Sequence, residues 1–234
     1  MKNLFFLIIG LFYFTMHAHT QVIDSAYFKC TYKLSSLTDL LRPDKRQADE
    51  MLLLVGEHYT MFGSYKNYLA DSLILANPEE HNDIKLGAAV ISLPTGSGFL
   101  PKTANNQVFY INRHSRELTS QASIMSGLSF QYQETITVPD WTIENESDSL
   151  LGYICQKATS RYGGRDWTAW FTPEITVSEG PWKLRGLPGL ILKAEDKDEH
   201  YIFECTGLQR LQQKSVIKKD TEKEYRKISK KEFV

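Results

Sequence analysis

Histidine is the side chain best suited to move protons near neutral pH, and four histidines lie beyond residue 20: His58, His81, His114 and His200. Each stands alone in the sequence, without a neighbouring motif that would supply a nucleophile or a metal. The chain contains no H-E-x-x-H, no G-x-S-x-G, no G-x-x-x-x-G-K-[ST] and no cysteine pair at zinc spacing. A hydrolase whose active-site residues are scattered along the chain therefore remains an alternative, without a motif to support it.

Oxygen ligands for a hard cation are concentrated in residues 196–200, Asp-Lys-Asp-Glu-His. A calcium loop that began at Asp196 would need glycine at its sixth position and glutamate at its twelfth. Those positions hold Tyr201 and Gly207. The segment is therefore interpreted as an acidic hairpin turn, and we expect neither a metal nor a cofactor.

An aromatic and cationic group lies between two turn signals, Gly180-Pro181 and Pro188-Gly189. Rigid turns that expose such side chains make good recognition surfaces. We therefore predict a ligand-binding or partner-binding surface formed with the preceding hairpin, by Trp182, Lys183, Arg185, Trp170 and Arg165. The alternative is that Trp182 and Leu187 plug the end of a sheet, and that the prolines and glycines only shape the turns.

Short strands and turns must position these residues. Helical spacing of apolar residues predicts a short helix at 64–76. Alternation of apolar and polar side chains predicts strands at residues 26–33, 50–62 (two strands around Gly56-Glu57), 107–112, 128–137, 141–145, 153–162, 165–173, 190–194 and 201–208. The predicted fold is mainly β (α+β): a curved antiparallel sheet or half-barrel meander with one or two short helices. It forms one domain at residues 21–213, followed by a charged tail at 214–234 that is read as a solvated helix or extension.

The hairpin over residues 153–173 is the most specific structural prediction. A two-residue Gly163-Gly164 loop suits a tight turn in which both residues have positive φ. This loop sets a register that places Arg161 opposite Asp166 and Lys157 opposite Trp170. One face then carries an apolar row, Trp167, Ala169, Phe171, Ala158 and Ile154. The predicted structural turn residues are Gly163, Gly164, Pro181, Gly186, Pro188 and Gly189, with a type II turn expected at Pro188-Gly189.

The N-terminus has the layout of a secretory signal peptide. Lys2 precedes an apolar run at residues 4–16, and small or polar residues follow it. We predict a signal peptide at residues 1–20, with cleavage after Thr20 or alternatively after Ala18. The run is shorter than the roughly 20 residues of a spanning helix, so an uncleaved anchor is the weaker reading. We predict that the protein is exported to the periplasm or outer envelope and has no transmembrane anchor after cleavage.

The net charge limits the classes of partner that the protein can bind, and the cysteine count limits the disulfide bridges that it can form. With 27 basic and 28 acidic residues the chain carries a formal net charge of −1, which argues against a nucleic-acid partner. Export exposes the three cysteines to an oxidising compartment, where at most one internal bridge can form. Cys155 and Cys205 are the preferred pair, and three free buried thiols are the alternative.

The hexapeptide at residues 186–191, Gly-Leu-Pro-Gly-Leu-Ile, resembles the signature of the GLPGLI family, and the residues at 152–158, 164–172 and 180–183 resemble that family as well. The resemblance implies an exported protein of Bacteroidetes-type bacteria, and the family has no established activity. It supplies no catalytic residues. The sequence leaves enzymatic activity undecided and favours a protein without one.

The function that we expect is therefore a non-catalytic binding or accessory role. The candidate partners are a hydrophobic ligand, a peptide, or an envelope protein such as a component of an outer-membrane transport system. An envelope hydrolase and a purely structural envelope protein are the alternatives.

Overall fold

The computed structural model describes residues 21–69, 106–123, 128–220 and 224–233. The predicted signal peptide lies outside these residues, as does most of the predicted helix at 64–76, of which residues 65–69 are helical. Among the described residues, no helix has the length and apolar character needed to cross a membrane.

Besides the helical residues 65–69, the described part of the chain contains twelve strands and a four-residue helix. In chain order they are β1 Gln21–Ser36, β2 Gln47–Gly56, β3 Tyr59–Ser64, β4 Gln107–Asn112, β5 Glu117–Ser123, β6 Ser129–Thr135, β7 Thr142–Leu150, β8 Tyr153–Tyr162, β9 Arg165–Thr172, β10 Leu190–Asp196, β11 Tyr201–Lys219, β12 Tyr225–Lys227 and the helix Lys230–Phe233. The strands predicted from alternation are present, whereas β5 was not predicted, because its polar residues show little alternation.

All twelve strands belong to one open sheet with the order β12-β6-β5-β4-β3-β2-β1-β11-β10-β9-β8-β7. Two antiparallel meanders, β1–β6 and β7–β11, meet where β11 returns to pair with β1. The mainly β prediction is confirmed. The prediction of a purely antiparallel sheet needs a correction, because β12 runs parallel to β6 and makes the sheet mixed.

The β8–β9 hairpin confirms the predicted register, with Arg161 opposite Asp166 and Lys157 opposite Trp170. Gly163 and Gly164 have φ values of 59° and 79°, as the tight turn requires. The predicted apolar row is buried at Ala158, Trp167, Ala169 and Phe171. Ile154 is the exception: its side chain is 69% exposed, so its placement in the core was wrong.

Both faces of the middle of the sheet are buried. The apolar run at residues 51–55 of β2 is buried throughout, with alternate side chains in two different core clusters. The larger cluster includes side chains from residues 173–189, which connect β9 to β10 and which we call the plug segment. We call the sheet face that this segment covers the inner face.

The plug segment is packed closely against the end of β9. A Cβ atom at Gly189 would collide with the carbonyl group of Thr172, so close backbone approach requires glycine there. The positive φ angles of the segment lie at Trp182 (57°) and Gly186 (95°), and not at Gly189. The type II turn predicted at Pro188-Gly189 was therefore wrong, because backbone contact sets the need for that glycine.

The C-terminal residues continue the sheet. β11 crosses the predicted boundary at 213/214, and its last residues pair with the start of β1, for example Lys219 with Gln21. The described residues of the predicted tail therefore extend β11 along β1, form the short β12 beside β6, and end in one helical turn.

Candidate functional site

The plug segment carries a buried carboxylate, Glu179, that is 3% exposed. Its Oε1 accepts hydrogen bonds from Arg185 Nη2 at 2.7 Å and from Arg113 Nε at 3.0 Å. Burial raises the pKa of the Glu179 carboxyl above its ordinary value, although both arginines act against that shift. The same burial lowers the pKa of Arg185. Glu179 therefore acts as an internal counter-ion, on which two cations depend.

Lys183 is the second buried cation of the plug segment, at 5% exposure. Its Nζ lies 2.5 Å from Glu134 Oε1 and donates to Tyr132 Oη at 3.3 Å. Burial lowers the pKa of Lys183, while its pair with Glu134 acts in the other direction. Glu134 also binds Lys230 of the C-terminal helix at 2.7 Å. The Glu134 carboxylate of β6 therefore joins the plug segment to the end of the described chain.

Trp182 is half-buried, and its ring packs 5.9 Å from that of Trp167 and 6.0 Å from that of Tyr162. The indole also lies over the hairpin turn, 3.1 Å from the place where a Cβ atom of Gly163 would be. Trp182, Lys183 and Arg185, predicted as binding residues, thus have their partners inside the protein. A binding role was predicted for Lys183 and Arg185, but the charged groups of both side chains are buried.

The β8–β10 strands also line a groove of about 570 Å³, which we call the outer groove. Its lining is mainly carboxylates, hydroxyls and two cations, and consists of Asp140, Thr142, Thr159, Ser160, Arg161, Asp166, Trp167, Thr168, Glu195, Asp196, Lys197 and Glu199. The predicted binding residue Trp170 lies on β9, half-buried, with Lys157 and Lys193 as its cross-strand neighbours.

At the hairpin end, the outer groove adjoins a second groove of about 460 Å³ that contains Arg165, Asp196, Asp198 and His200, the tip cluster. Arg165 Nη1 lies 2.6 Å from Asp196 Oδ2 and 3.1 Å from His200 Nδ1, and its guanidinium stacks over the Tyr201 ring at 4.8 Å. Oxygen and nitrogen atoms of Asp196, Asp198 and His200 lie within 4.8 Å of one another. Arg165 already places a positive charge beside Asp196 and His200, and so offsets the charge of one of the two carboxylates of this cluster.

Two histidines far apart in sequence meet at another end of the sheet. The rings of His58 and His114 are 5.6 Å apart on the exposed β2–β3 and β4–β5 turns. Asp24 Oδ2 holds the first turn by accepting the backbone N–H of His58 at 2.7 Å and that of Tyr59 at 2.8 Å. His200 belongs to the tip cluster, and His81 lies outside the described residues. No local sequence signal indicates this pair, because only the β3–β4 pairing aligns the two turns.

The three cysteines are free thiols in the structure. The thiol beside Cys205 is that of Cys30, with the two Sγ atoms 3.3 Å apart. The bridge predicted between Cys155 and Cys205 is not formed. No pattern in the sequence indicates the contact between Cys30 and Cys205, because the strands that carry the two residues lie at opposite ends of the chain.

Comparison with known proteins identifies a family segment and a shared fold. Residues 162–193 match a family described as a protein of unknown function, Porph_ging. This segment contains β9, the plug segment and the hexapeptide at 186–191. No curated protein matches the chain.

Two solved structures have a similar fold. One, described as the structure of PNGF-II in the P21 space group, has a TM-score of 0.57 at 14% identity, over 90% of this chain and 32% of that chain. The other, PNGF-II in the C2 space group, has a TM-score of 0.54 at 16% identity, over 87% and 30% of the two chains. The present chain spans about a third of the length of those chains. At this level of identity the likeness establishes a common fold and carries no activity with it.

Proposed function

We propose that the protein is a non-catalytic binding protein of the bacterial envelope that holds a basic peptide segment of a partner in the outer groove. The observation that carries this proposal is the charge of the groove: five carboxylates and two cationic side chains line it. A surplus of negative charge in a cleft attracts cationic ligands and disfavours anionic ones.

Two carboxylates of the groove are available to a ligand. Asp166, Glu195 and Asp196 already pair with Arg161, Lys193 and Arg165. The side chains of Asp140 and Glu199 are exposed and have no hydrogen bond or ion pair within the described part of the chain. The Thr168 hydroxyl in the same lining can bind the peptide backbone, and the Thr159 hydroxyl, which donates to Glu144 at 3.0 Å, can still accept a hydrogen bond. The groove thus combines two unpaired anions with neutral hydrogen-bonding groups.

An apolar ligand, which the sequence also suggested, has less support. The inner face of the sheet is covered by the plug segment, whose Leu184 and Leu187 are 0% and 1% exposed. An acyl chain would have to displace these side chains from the core. The burial of each contributes roughly 1.5–3 kcal/mol. A polar partner at the outer groove requires no such rearrangement.

Fluorescence anisotropy with two labelled peptides tests this proposal. One peptide alternates lysine and serine, and the other has glutamate in place of lysine. We expect the lysine peptide to bind more tightly and to weaken with added salt, since exposed charges are screened. The variant Asp140→Asn/Glu199→Gln should raise its Kd about 2- to 30-fold, since exposed ion pairs contribute roughly 0.2–1 kcal/mol each.

The matched control is Glu50→Gln/Glu57→Gln, which removes two exposed carboxylates at β2 and its following turn, outside the groove lining. The control should bind like the wild type. Equal affinity for the two peptides, or an equal loss in the control, would refute binding at the outer groove.

Export and GLPGLI family membership form part of this proposal. The signal-peptide pattern at residues 1–20 and the hexapeptide at residues 186–191 support them. N-terminal sequencing of the protein recovered from cell envelope fractions should begin at Gln21, or at His19 if cleavage follows Ala18. Recovery of the full-length chain from the cytoplasm would contradict export.

A hydrolase is the second candidate, and the approach of His58 to His114 is the observation that favours it. The two rings lie on exposed turns, and neither residue lines the outer groove or the groove at the tip cluster. The test is hydrolysis of a chromogenic ester, amide or glycoside. This candidate would be favoured over the first if the wild type hydrolyses one of them and His58→Gln/His114→Gln abolishes the activity without changing the melting temperature.

A further inference from the structure

Cys30 and Cys205 lie on neighbouring strands near the centre of the sheet, β1 and β11, with their Sγ atoms 3.3 Å apart. Cys30 is fully buried and Cys205 is partly exposed. The two residues are 175 positions apart in the sequence. A covalent bond between them would therefore tie the first strand to the last long strand.

A bulge in β11 brings these thiols to the same face of the sheet. Cys30 pairs with Leu208 and Thr31 with Gly207, but Tyr32 then pairs with Cys205, so that Thr206 is left over. In an unbroken register Thr206 would face Tyr32, and the Cys205 side chain would point to the opposite face. The Thr206 hydroxyl contacts the Thr31 carbonyl at 3.3 Å and the Thr31 hydroxyl at 3.2 Å, which fixes the bulge.

The two thiols are suited to different steps of an exchange reaction. Burial raises the pKa of the Cys30 thiol. A hydrogen bond from Cys30 lowers the pKa of Cys205, although burial acts against that shift. The partly exposed Cys205 is thus the thiol that an external disulfide can reach as a thiolate, and Cys30 lies directly behind it.

We propose that Cys30 and Cys205 form a cross-strand disulfide by exchange with an external disulfide, either of a protein thiol oxidase or of oxidised glutathione. The Cys205 thiolate attacks one sulfur of that disulfide and expels the other as a thiolate. Cys30 then loses its proton and attacks Cys205 Sγ, releasing the second external thiol. Two protein thiols are oxidised, and one external disulfide is reduced to two thiols. Cys155 remains a free thiol.

The test uses the full chain, reduced and then incubated with oxidised glutathione. Intact mass should fall by about 2 Da, and one thiol should remain available to an alkylating agent after denaturation. Peptide mapping without reductant should show one linked pair containing Cys30 and Cys205. Because loop closure over a long segment restricts the unfolded chain, the oxidised protein should melt roughly 4–16 °C above the reduced protein.

Cys30→Ser and Cys205→Ser should abolish the mass change and the gain in melting temperature, and Cys155→Ser, the matched control, should keep both. If a serine variant fails to fold, peptide mapping of the oxidised wild-type protein still shows which two cysteines are linked. A linked Cys155–Cys205 pair, three alkylated cysteines after oxidation, or a stable glutathione adduct at Cys205 would each overturn the proposal.

Discussion

The plug segment and the hairpin tip contain the same kinds of charged side chain in opposite environments. Glu179 and Arg185 pair at 2.7 Å with side-chain exposures of 4% and 9%, whereas Arg161 and Asp166 pair at 2.8 Å with exposures of 73% and 51%. The distances are nearly equal, so distance does not separate the two pairs. The difference is solvation: water stabilises each exposed ion separately, while each buried ion depends on its partner.

The largest expected effect is that of removing the buried anion. Glu179→Ala removes the acceptor of the hydrogen bonds that Arg185 and Arg113 donate inside the core, and should lower the free energy of unfolding by about 3–5 kcal/mol. Asp166→Ala at the exposed pair should lower it by about 0–1 kcal/mol. Urea denaturation followed by circular dichroism measures both values. Similar losses in the two variants would contradict the contrast between the regions.

The next effect concerns an apolar side chain of the plug segment and one at the start of the β8–β9 hairpin. Leu187 of the plug segment is 1% exposed, and Ile154 of β8 is 69% exposed. Leu187→Ala should cost about 2–5 kcal/mol, because it removes packed atoms and leaves a cavity. Ile154→Ala, the matched control, should change the free energy of unfolding by less than about 0.5 kcal/mol. A small loss for Leu187→Ala would mean that the plug segment is not part of the cooperative core.

The smallest effect is a pH dependence whose sign differs between two carboxylates of the plug network. Glu134, despite partial burial, has its pKa lowered from 4.5 by Lys183 and Lys230, so its stabilising contribution is lost as the pH falls below 4.5. Burial raises the pKa of Glu179 above 4.5, so the native state binds more protons than the unfolded state above that pH. Stability attributable to Glu179 therefore rises as the pH falls toward 4.5.

These signs are checked by measuring the free energy of unfolding between pH 7 and pH 3 for three proteins: the wild type, Glu134→Gln and Glu179→Gln. Relative to Glu134→Gln, the wild type should lose stability below pH 4.5. Relative to Glu179→Gln, it should gain stability on acidification toward that pH. Parallel curves for all three proteins would show that neither carboxyl has a shifted pKa.

The β8–β9 hairpin shows how far local sequence reaches. Its turn residues and its alternation lie within a few positions of each other, so the Gly163-Gly164 turn and the pairing of Arg161 with Asp166 could both be predicted. Ile154 followed the same alternation and was placed wrongly, because burial near the end of the hairpin depends on what covers it. Periodicity predicts which side chains share a face, while coverage decides which of them are buried.

The candidate binding residues show the opposite limit. Trp182, Lys183 and Arg185 lie between turn signals, as exposed recognition residues often do. The partners of Trp182 and Lys183 nevertheless lie on the distant strands β9 and β6, and Arg185 pairs with the buried Glu179. No local pattern separates a loop that is folded over the sheet from one that faces solvent. No such pattern marks Asp140 and Glu199 either, and these carboxylates, to which we propose that a ligand binds, were not predicted as binding residues.

The order of apolar and turn residues along the chain determined that the protein is mainly β, where most strands lie and how β8 pairs with β9, because these depend on neighbours in sequence. Tertiary structure decided the β1–β11 pairing, the burial of the plug charges, the meeting of His58 with His114 and that of Cys30 with Cys205. The strand, histidine and cysteine contacts join residues far apart in the chain. The Glu179–Arg185 pair is local in sequence, but it is buried only because the plug segment folds over the sheet. Their formation rests on the folding of the whole sheet, since no short segment can bury a charge or align two distant strands alone.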